Sequence, residues 1–201
     1  MTEAQALRDY LTARRQTGAD RSAIDQTIFS RFGRQQAVMF TDLVGFSRLV
    51  EAFGILHFLQ LIDEAETLFL PLIAQHGGIC LKQEGDSMLV VFDHPAHALA
   101  AARAMVAATE ALNPARTPED RIEVCVGLGF GTVLRVEGDV WGAQVNAASK
   151  LGEEMARGGE ILATEAFRLA LPEQAFTVHG NLFGPSPVFR LDPAPGVDPK
   201  A

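Results

Sequence analysis

The sequence predicts an α+β fold, in which helices cover one side of a mostly antiparallel β-sheet. Short apolar runs of strand length alternate with longer amphipathic stretches in the order βαββαβαβ, which is typical of this class. Only Glu84-Gly85-Asp86 separates two of the strands, and so short a linker suits a tight hairpin. The chain has 201 residues, of which 48% are hydrophobic, enough for the core of one domain.

The first 35 residues are charged and favour helices. Ala, Gln, Arg and Leu recur in this segment, Gly18 interrupts it, and Asp20 suits the start of a second helix. We interpret residues 1–35 as an N-terminal helical extension that packs either on the rest of the chain or on a partner subunit.

Residues 36–192 carry the strands and helices of the main domain. A strand at 36–42 leads into one long helix from Ser47 to Gln75, whose apolar residues recur on one face. The other expected elements are strands at 79–83, 87–92, 122–130, 160–163, 175–179 and 187–191, with helices at 95–112, at 143–156 and after Thr164. Residues 193–201 are rich in proline and are expected to form a disordered tail.

Composition excludes several classes of function. The net charge of −8 argues against nucleic acid as the main partner, because no basic block is present to neutralise its phosphates. No apolar stretch is long enough to span a membrane, and the N-terminus lacks the apolar core of a signal peptide. Cys80 and Cys125 both lie in apolar runs, which favours buried free thiols over a disulfide or a metal site. We therefore expect a cytoplasmic protein.

Two aspartates stand beside strand-like apolar runs. Asp42 ends the run that begins at Ala37, and Asp86 precedes the run 87–92. A carboxylate at the end of a buried strand is costly unless its charge is paired or bound to a metal. Taken singly, Asp42 suits a helix cap and Asp86 a turn residue. Together on neighbouring strands they favour a site for divalent cations, which in turn can hold nucleotide phosphates.

Three segments, 40–46 (FTDLVGF), 82–86 (KQEGD) and 139–150 (DVWGAQVNAASK), carry a further signal. Each is weak alone. In this order and spacing they resemble the catalytic domain of class III nucleotide cyclases, the adenylate and guanylate cyclases, over about residues 36–191. The resemblance implies a ferredoxin-like βαββαβ core with extra strands. It also implies a head-to-tail homodimer whose active sites lie at the subunit interface.

The resemblance assigns the acidic pair and the turn that follows the first strand. Asp42 and Asp86 would hold two ions per active site, Mg²⁺ or Mn²⁺. The main-chain N–H groups of Leu43, Val44, Gly45 and Phe46, at the start of a helix, would bind phosphate oxygens. The implied reaction converts ATP to 3′,5′-cyclic AMP and pyrophosphate by two-metal-ion catalysis.

The resemblance also assigns four residues to the base, the ribose and the phosphates. Lys82 and Asp139 would read the adenine edge, the lysine donating to ring N1 and the aspartate accepting from the 6-amino group. Asn146 would orient the ribose. Lys150 would stabilise phosphate charge at a position where the family usually has arginine. Outside this context, each of the four would be an ordinary surface or turn residue.

The implied active site is shared between two chains. Asp42 and Asp86 of one chain would face Lys82, Asp139, Asn146 and Lys150 of the other, so a monomer would hold only half-sites.

Two features depart from the family pattern. Lysine at 150 keeps the charge of arginine but loses its planar, bidentate fork. The segment 132–138 is short where the family usually has a long β-hairpin arm. These departures leave two alternatives open. One is a nucleotide-binding regulatory module with weakened catalysis. The other is a cyclase that acts on a pyrimidine or guanine nucleoside triphosphate.

Overall fold

The computed structural model describes residues 1–182 and 184–193. The predicted tail, residues 193–201, lies outside the described residues except for its first position. In the described part, the strands are β1 (Gly33–Leu43), β2 (Ile79–Glu84), β3 (Ser87–Phe92), β4 (Val124–Val136), β5 (Asp139–Trp141), β6 (Ile161–Thr164), β7 (Phe176–Asn181) and β8 (Pro187–Leu191). The helices are α1 (Glu3–Arg14), α2 (Arg21–Phe32), α3 (Phe46–Phe53), α4 (Ile55–Gln75), α5 (Pro95–Leu112), α6 (Ala143–Lys150) and α7 (Glu165–Ala170).

The strands form one eight-stranded sheet in the order β2-β3-β1-β4-β6-β8-β7, with β5 paired to β4. Only β4 and β6 pair in parallel among the described strands, and the other pairs are antiparallel. The fold class predicted from the sequence, α+β with a mostly antiparallel sheet, is confirmed.

One detail of the fold class is corrected, because helices lie on both faces of the sheet. Helices α4, α5 and α7 cover one face and form the main core with alternate residues of the strands, such as Met39 and Val90. The other face carries a smaller cluster, in which Val38 and Val91 pack with Ala148 of α6. Apolar residues on both faces of β1 and β3 explain this arrangement, since each face needs a covering layer.

Helix α6 approaches β4 closely because β4 presents glycines at the contact. A Cβ atom added to Gly127 would lie 2.1 Å from the carbonyl oxygen of Ala148, and one added to Gly129 would lie 2.6 Å from that of Gln144. Both distances are shorter than van der Waals contact. The helix can therefore lie on the strand only while these positions lack side chains. A π-helical turn, Leu151–Met155, continues α6.

The prediction of a single long helix at 47–75 is wrong. The segment is two helices, α3 and α4, separated at Gly54, whose φ is +85°. The apolar spacing continues across the break, so periodicity alone does not reveal it. Glycine adopts this left-handed conformation without the steric cost that a side chain would add. Helix α3 begins at Phe46, after Gly45 at φ +97°.

Strand β4 is longer than the predicted 122–130 and ends at Val136. Its last residues pair with β5, with Val136 opposite Asp139, and Glu137-Gly138 form the turn. We call β4 from Thr132, the turn and β5 the arm. The segment expected to be trimmed therefore still forms a short hairpin.

The N-terminal extension contains α1 and α2, which pack on the arm of the same chain. Asp20 caps α2 by accepting a hydrogen bond from the Ala23 N–H group at 3.0 Å. Arg14 and Asp25 join the two helices through two hydrogen bonds of 2.5 and 2.9 Å. Ala6, Ile28 and Phe32 form a buried cluster with Val136 at the end of β4.

Replacing Gly127 with alanine tests the contact between α6 and β4. The added Cβ would meet backbone atoms of Ala148 and Gly152, which cannot rotate away. We expect Gly127→Ala to lower the free energy of unfolding by about 2 kcal/mol or more. Gly138→Ala is the control, because a Cβ there has no neighbour within 4 Å. Urea unfolding measures both variants, and equal stabilities would contradict the close contact.

Candidate active site

The two predicted carboxylates lie at one end of the sheet. Asp42 is the next-to-last residue of β1, and Asp86 stands in the turn before β3. Because β1 and β3 pair antiparallel with Thr41 opposite Met88, the end of β1 lies beside the start of β3. Both side chains are half-buried. The structure thus brings together the acidic pair that the sequence singled out.

Negative charge is crowded around Asp42. Burial raises the pKa of Asp42 to about 7, and the negative charges of Asp86 and Glu153 contribute to this rise, against a lowering hydrogen bond from the Leu43 N–H group. Burial also raises the pKa of Asp86. Carboxyl groups crowded in this way favour a bound cation, because a divalent ion removes both the repulsion and the desolvation cost.

The acidic pair has the right chemistry for Mg²⁺ or Mn²⁺, although it is small. In the described residues, no group of three or more His, Cys, Asp or Glu side chains is arranged to hold a metal ion. Mg²⁺ commonly takes one or two carboxylates and completes its shell with water and substrate phosphates. A site of two aspartates therefore fits an ion that binds together with a nucleotide.

Glu153 is a neighbour of the acidic pair that the sequence did not suggest. It lies in the π-helical turn after α6, where Gly152 packs closely against β1: a Cβ on Gly152 would be 2.9 Å from the Phe40 carbonyl oxygen. The Ser149 hydroxyl donates to Glu153 at 3.0 Å. Only the tertiary contact of this turn with β1 reveals Glu153, and no local pattern identifies it.

The turn between β1 and α3 offers fewer donors than the four predicted. The Val44 N–H group donates to the Glu123 carbonyl at 3.0 Å, and the Leu43 N–H group lowers the pKa of Asp42 against the larger effect of burial. Gly45 and Phe46, at the start of α3, are the candidate phosphate donors that this leaves. The Val44 N–H group is thus engaged within the chain, and the roles assigned to the four N–H groups stay a prediction.

Lys82 and Asp139 are in direct contact, although 57 positions separate them. The lysine Nζ lies 2.9 Å from Asp139 Oδ2, and Asp139 Oδ1 accepts the Val140 N–H group at 2.8 Å. A bulge between Cys80 and Lys82 shifts the register of β2, so that Lys82 lies opposite Leu89. Both charged side chains are partly exposed, which leaves them accessible to a ligand.

Helix α6 carries Asn146 and Lys150 four residues apart, on one face. Asn146 is exposed, and Lys150 forms an ion pair with Glu154 at 3.0 Å. Gln144, which the sequence did not single out, anchors this helix. Its Oε1 atom accepts from the Phe130 N–H group at 3.2 Å and from the Thr164 hydroxyl at 3.0 Å.

These contacts give the site two parts. Asp42 and Asp86 form an acidic part at the end of β1, and Lys82 and Asp139 form a mixed-charge part between β2 and the arm. Within the described residues, no hydrogen bond or ion pair joins one part to the other.

Comparison with known proteins decides the family. The sequence model of the family described as "Adenylate and Guanylate cyclase catalytic domain" matches residues 32–182, well over half of the chain. The chain belongs to this family. The resemblance to class III nucleotide cyclases, drawn from three short segments, is thereby confirmed.

Known relatives agree with this assignment. The cyclase domain is 34% identical over 152 residues to an adenylate cyclase of Streptomyces coelicolor, covering 76% of the present chain and 36% of that protein. It therefore spans about a third of the length of this curated relative.

Solved structures share the fold of the cyclase domain. The adenylate/guanylate cyclase/hydrolase of Silicibacter pomeroyi superposes with a TM-score of 0.71 at 27% identity, over 81% of this chain and 98% of that one. The adenylyl cyclase CyaB of P. aeruginosa superposes with a TM-score of 0.67 at 20% identity, over 81% of this chain and 95% of that one. The second likeness, at low identity, shows the fold alone.

The two cysteines differ in burial. Both are free thiols, but only Cys125 is buried as predicted, and Cys80 is partly exposed. Cys125 lies opposite Asp42 in the sheet, and burial, aided by neighbouring carboxylates, raises its pKa to about 12. The thiol therefore stays neutral and brings no charge to the acidic part. Across residues 1–182 and 184–193, no helix has the length and apolar character needed to cross a bilayer.

Replacing Asp42 with asparagine tests the charge on the acidic part. The raised pKa means that the folded state favours protonated Asp42. The stability that protonated Asp42 contributes to the fold is fully present below the ordinary pKa of 3.8 and is lost as the pH rises through about 7. An asparagine side chain cannot ionise. We expect Asp42→Asn, without divalent ions, to melt at a higher temperature than the wild type at pH 8 and to lose this advantage at pH 4.

Thermal melts in EDTA at several pH values measure this difference. Asp63→Asn, at an exposed position of α4, is the matched control and should show no such pH-dependent gain. Adding Mn²⁺ at pH 8 should raise the melting temperature of the wild type more than that of Asp42→Asn. An advantage of Asp42→Asn that does not change with pH would contradict the cost of ionising Asp42 in the folded state.

Proposed function

We propose that this cyclase domain converts ATP to 3′,5′-cyclic AMP and pyrophosphate, in the cytoplasm, at composite sites of a homodimer. The observation that carries the proposal is the half-buried pair of Asp42 and Asp86, whose pKa values are both raised and whose charge calls for a cation. Acidic pairs of this kind destabilise the fold unless they bind a cation.

Asp42 and Asp86 would hold two Mg²⁺ or Mn²⁺ ions. Such ions make the ribose 3′-hydroxyl easier to deprotonate and hold the triphosphate in line for attack on the α-phosphorus. The N–H groups of Gly45 and Phe46, at the positive end of α3, would bind phosphate oxygens beside them.

The contact of Lys82 with Asp139 supports adenine as the base. The lysine can donate to adenine N1, and the aspartate can accept from the 6-amino group, whereas guanine presents the opposite pattern there. Each side chain holds the other in place before the nucleotide arrives, which lowers the entropy lost on binding. Because both groups stay partly exposed, the ion pair itself adds little stability.

Asn146 and Lys150 would act on the ribose and the phosphates. Their spacing places both side chains on one face of α6, and Gln144 fixes that helix against β4 and β6. Asn146 would orient the ribose by hydrogen bonding. Lys150 would stabilise the negative charge that grows on the phosphates in the transition state.

A homodimer would complete the site. The acidic part of one subunit would face the mixed-charge part and α6 of its partner, so that two equivalent sites form. Activity should then rise faster than linearly with protein concentration in dilute solution, because dimer formation depends on the square of the monomer concentration.

The ion pair of Lys150 with Glu154 favours a second candidate function, a nucleotide-binding regulatory module with weak catalysis. Glutamate competes with a substrate phosphate for the lysine, and lysine cannot bind both in the bidentate manner of arginine. A nucleotide would then bind and stabilise the fold with little turnover.

Product analysis of the full chain with Mn²⁺ and each of the four nucleoside triphosphates tests the proposed reaction. We expect cyclic AMP and pyrophosphate from ATP, at a higher rate than any product from GTP, CTP or UTP. Asp42→Asn should reduce turnover by at least about 100-fold, as the loss of one key electrostatic group does in other enzymes. This variant is a fair control because it is expected to fold well. No cyclic AMP above its level would reject the proposal.

Lys150→Arg separates the enzyme from the regulatory module. The planar guanidinium can form an additional charge-assisted hydrogen bond to the phosphates, worth about 1.4 kcal/mol or a tenfold rise in kcat. Steady-state kinetics at saturating ATP measure this effect. If ATP raises the melting temperature of Lys150→Arg but the variant forms no product, the regulatory module is favoured instead.

A further inference from the structure

The N-terminal helix α1 is joined to the turn of the arm by two reciprocal hydrogen bonds. The Glu137 N–H group donates to Glu3 Oε2 at 3.1 Å, and the Ala4 N–H group donates to Glu137 Oε1 at 3.3 Å. The second bond places a carboxylate at the positive end of the α1 dipole, where negative charge is stabilising. Residues more than 130 positions apart are thus held together at one point.

Glu137 adopts an unfavourable backbone conformation at this point. Its φ is +52°, and within the described residues no other non-glycine residue has a positive φ. A side chain in this region strains the backbone, and tight hairpin turns usually place glycine there. Glutamate at this position makes sense if its side chain contributes an interaction that glycine cannot make. The bond with α1 is such an interaction.

Apolar packing secures the same contact. Phe32 is fully buried and Ile28 nearly so, and both pack with Val136, the residue before the turn. The last residue of β4 is therefore held from one side by α2, while the turn is held from the end of α1. The arm does not depend on its own hairpin alone.

The turn leads directly to the mixed-charge part of the site. Asp139 follows Glu137 by two positions and begins β5, a strand of three residues that pairs only with β4 in the described sheet. Its middle residue, Val140, is buried in the smaller cluster with Ala148, so packing holds the centre of β5, while the turn sets the position of its first residue, Asp139. The contact of Asp139 with Lys82 at 2.9 Å therefore depends on how the turn is held.

We infer that Glu137 is a positioning residue, through which α1 fixes Asp139 beside Lys82 and thereby sets the base selectivity of the site, with α2 holding the preceding Val136. The inference rests on the proposed function for its enzymatic readout, since Asp139 is proposed to read the base. The extension then acts on specificity from outside the site, with no contact to the nucleotide.

Glu137→Gly in the full chain is the decisive variant. Glycine fits the positive φ, so the turn and the fold should remain, while the hydrogen bond to the Ala4 N–H group is lost. We expect the ratio of kcat/KM for ATP to kcat/KM for GTP to fall at least about fivefold, the lower end of typical coupling between sites. Glu137→Gln keeps the acceptor oxygen and should retain most of the ratio. Glu173→Gln, at an exposed position outside the arm and the N-terminal helices, should leave the ratio unchanged.

Hydrogen exchange gives a second readout that needs no turnover. Without nucleotide, Glu137→Gly should exchange faster than the wild type in α1 and in the segment 137–141, with the main core unchanged. If Glu137→Gly has the same ratio of kcat/KM for ATP to kcat/KM for GTP as the wild type, the role in specificity is overturned. Unchanged exchange in the segment 137–141 overturns the positioning role itself. A wild type that forms no cyclic nucleotide would instead reject the proposed function, and exchange alone would then decide whether α1 positions the arm.

Discussion

The close contact between α6 and β4 is the constraint on which the site depends. Gly127 and Gly129 leave the strand bare where the helix crosses it, and Gln144 bonds the helix to two strands. This contact sets where Asn146 and Lys150 lie. It also carries the π-helical turn onto the end of β1, where Glu153 adds its charge to the acidic part. A single packing contact thus arranges two groups of side chains on one face of the sheet.

The acidic part illustrates how a fold can carry an unfavourable feature for function. Asp42 and Asp86 are desolvated and lie near a third carboxylate, with burial as the main cause of the raised pKa of each. The surrounding core of β1, β3 and β4 is apolar and well packed, so it can tolerate this local cost. An ion and a nucleotide would turn the same crowding of charge into binding free energy.

Much of the fold followed from the sequence because its signals are local. Short apolar runs on either side of a turn identify β2 and β3, and Thr164 caps α7 by accepting from the Phe167 N–H group. The break at Gly54 was missed because the apolar spacing runs through it. The end of β4 is not evident from the sequence because residues 132–136 become a strand through pairing with the start of β1 and with β5.

Motifs mark some of the candidate site residues, whereas others come together only through tertiary contacts. The resemblance pairs Lys82 with Asp139, and the structure brings these two side chains into contact, while their role stays a prediction. Glu153 and Glu137 gain their neighbours only when distant elements meet, so single-sequence reasoning had no signal for them.

The hairpin of β2 and β3 shows a further consequence of the fold. Lys82 takes its place in the sheet after a bulge, and Asp86 stands at the turn only four positions later. Because side chains in a strand alternate between faces, inserting or deleting one residue between them would turn one of the two away from its place. The number of residues between Lys82 and Asp86 therefore constrains the hairpin as strictly as the two side chains themselves.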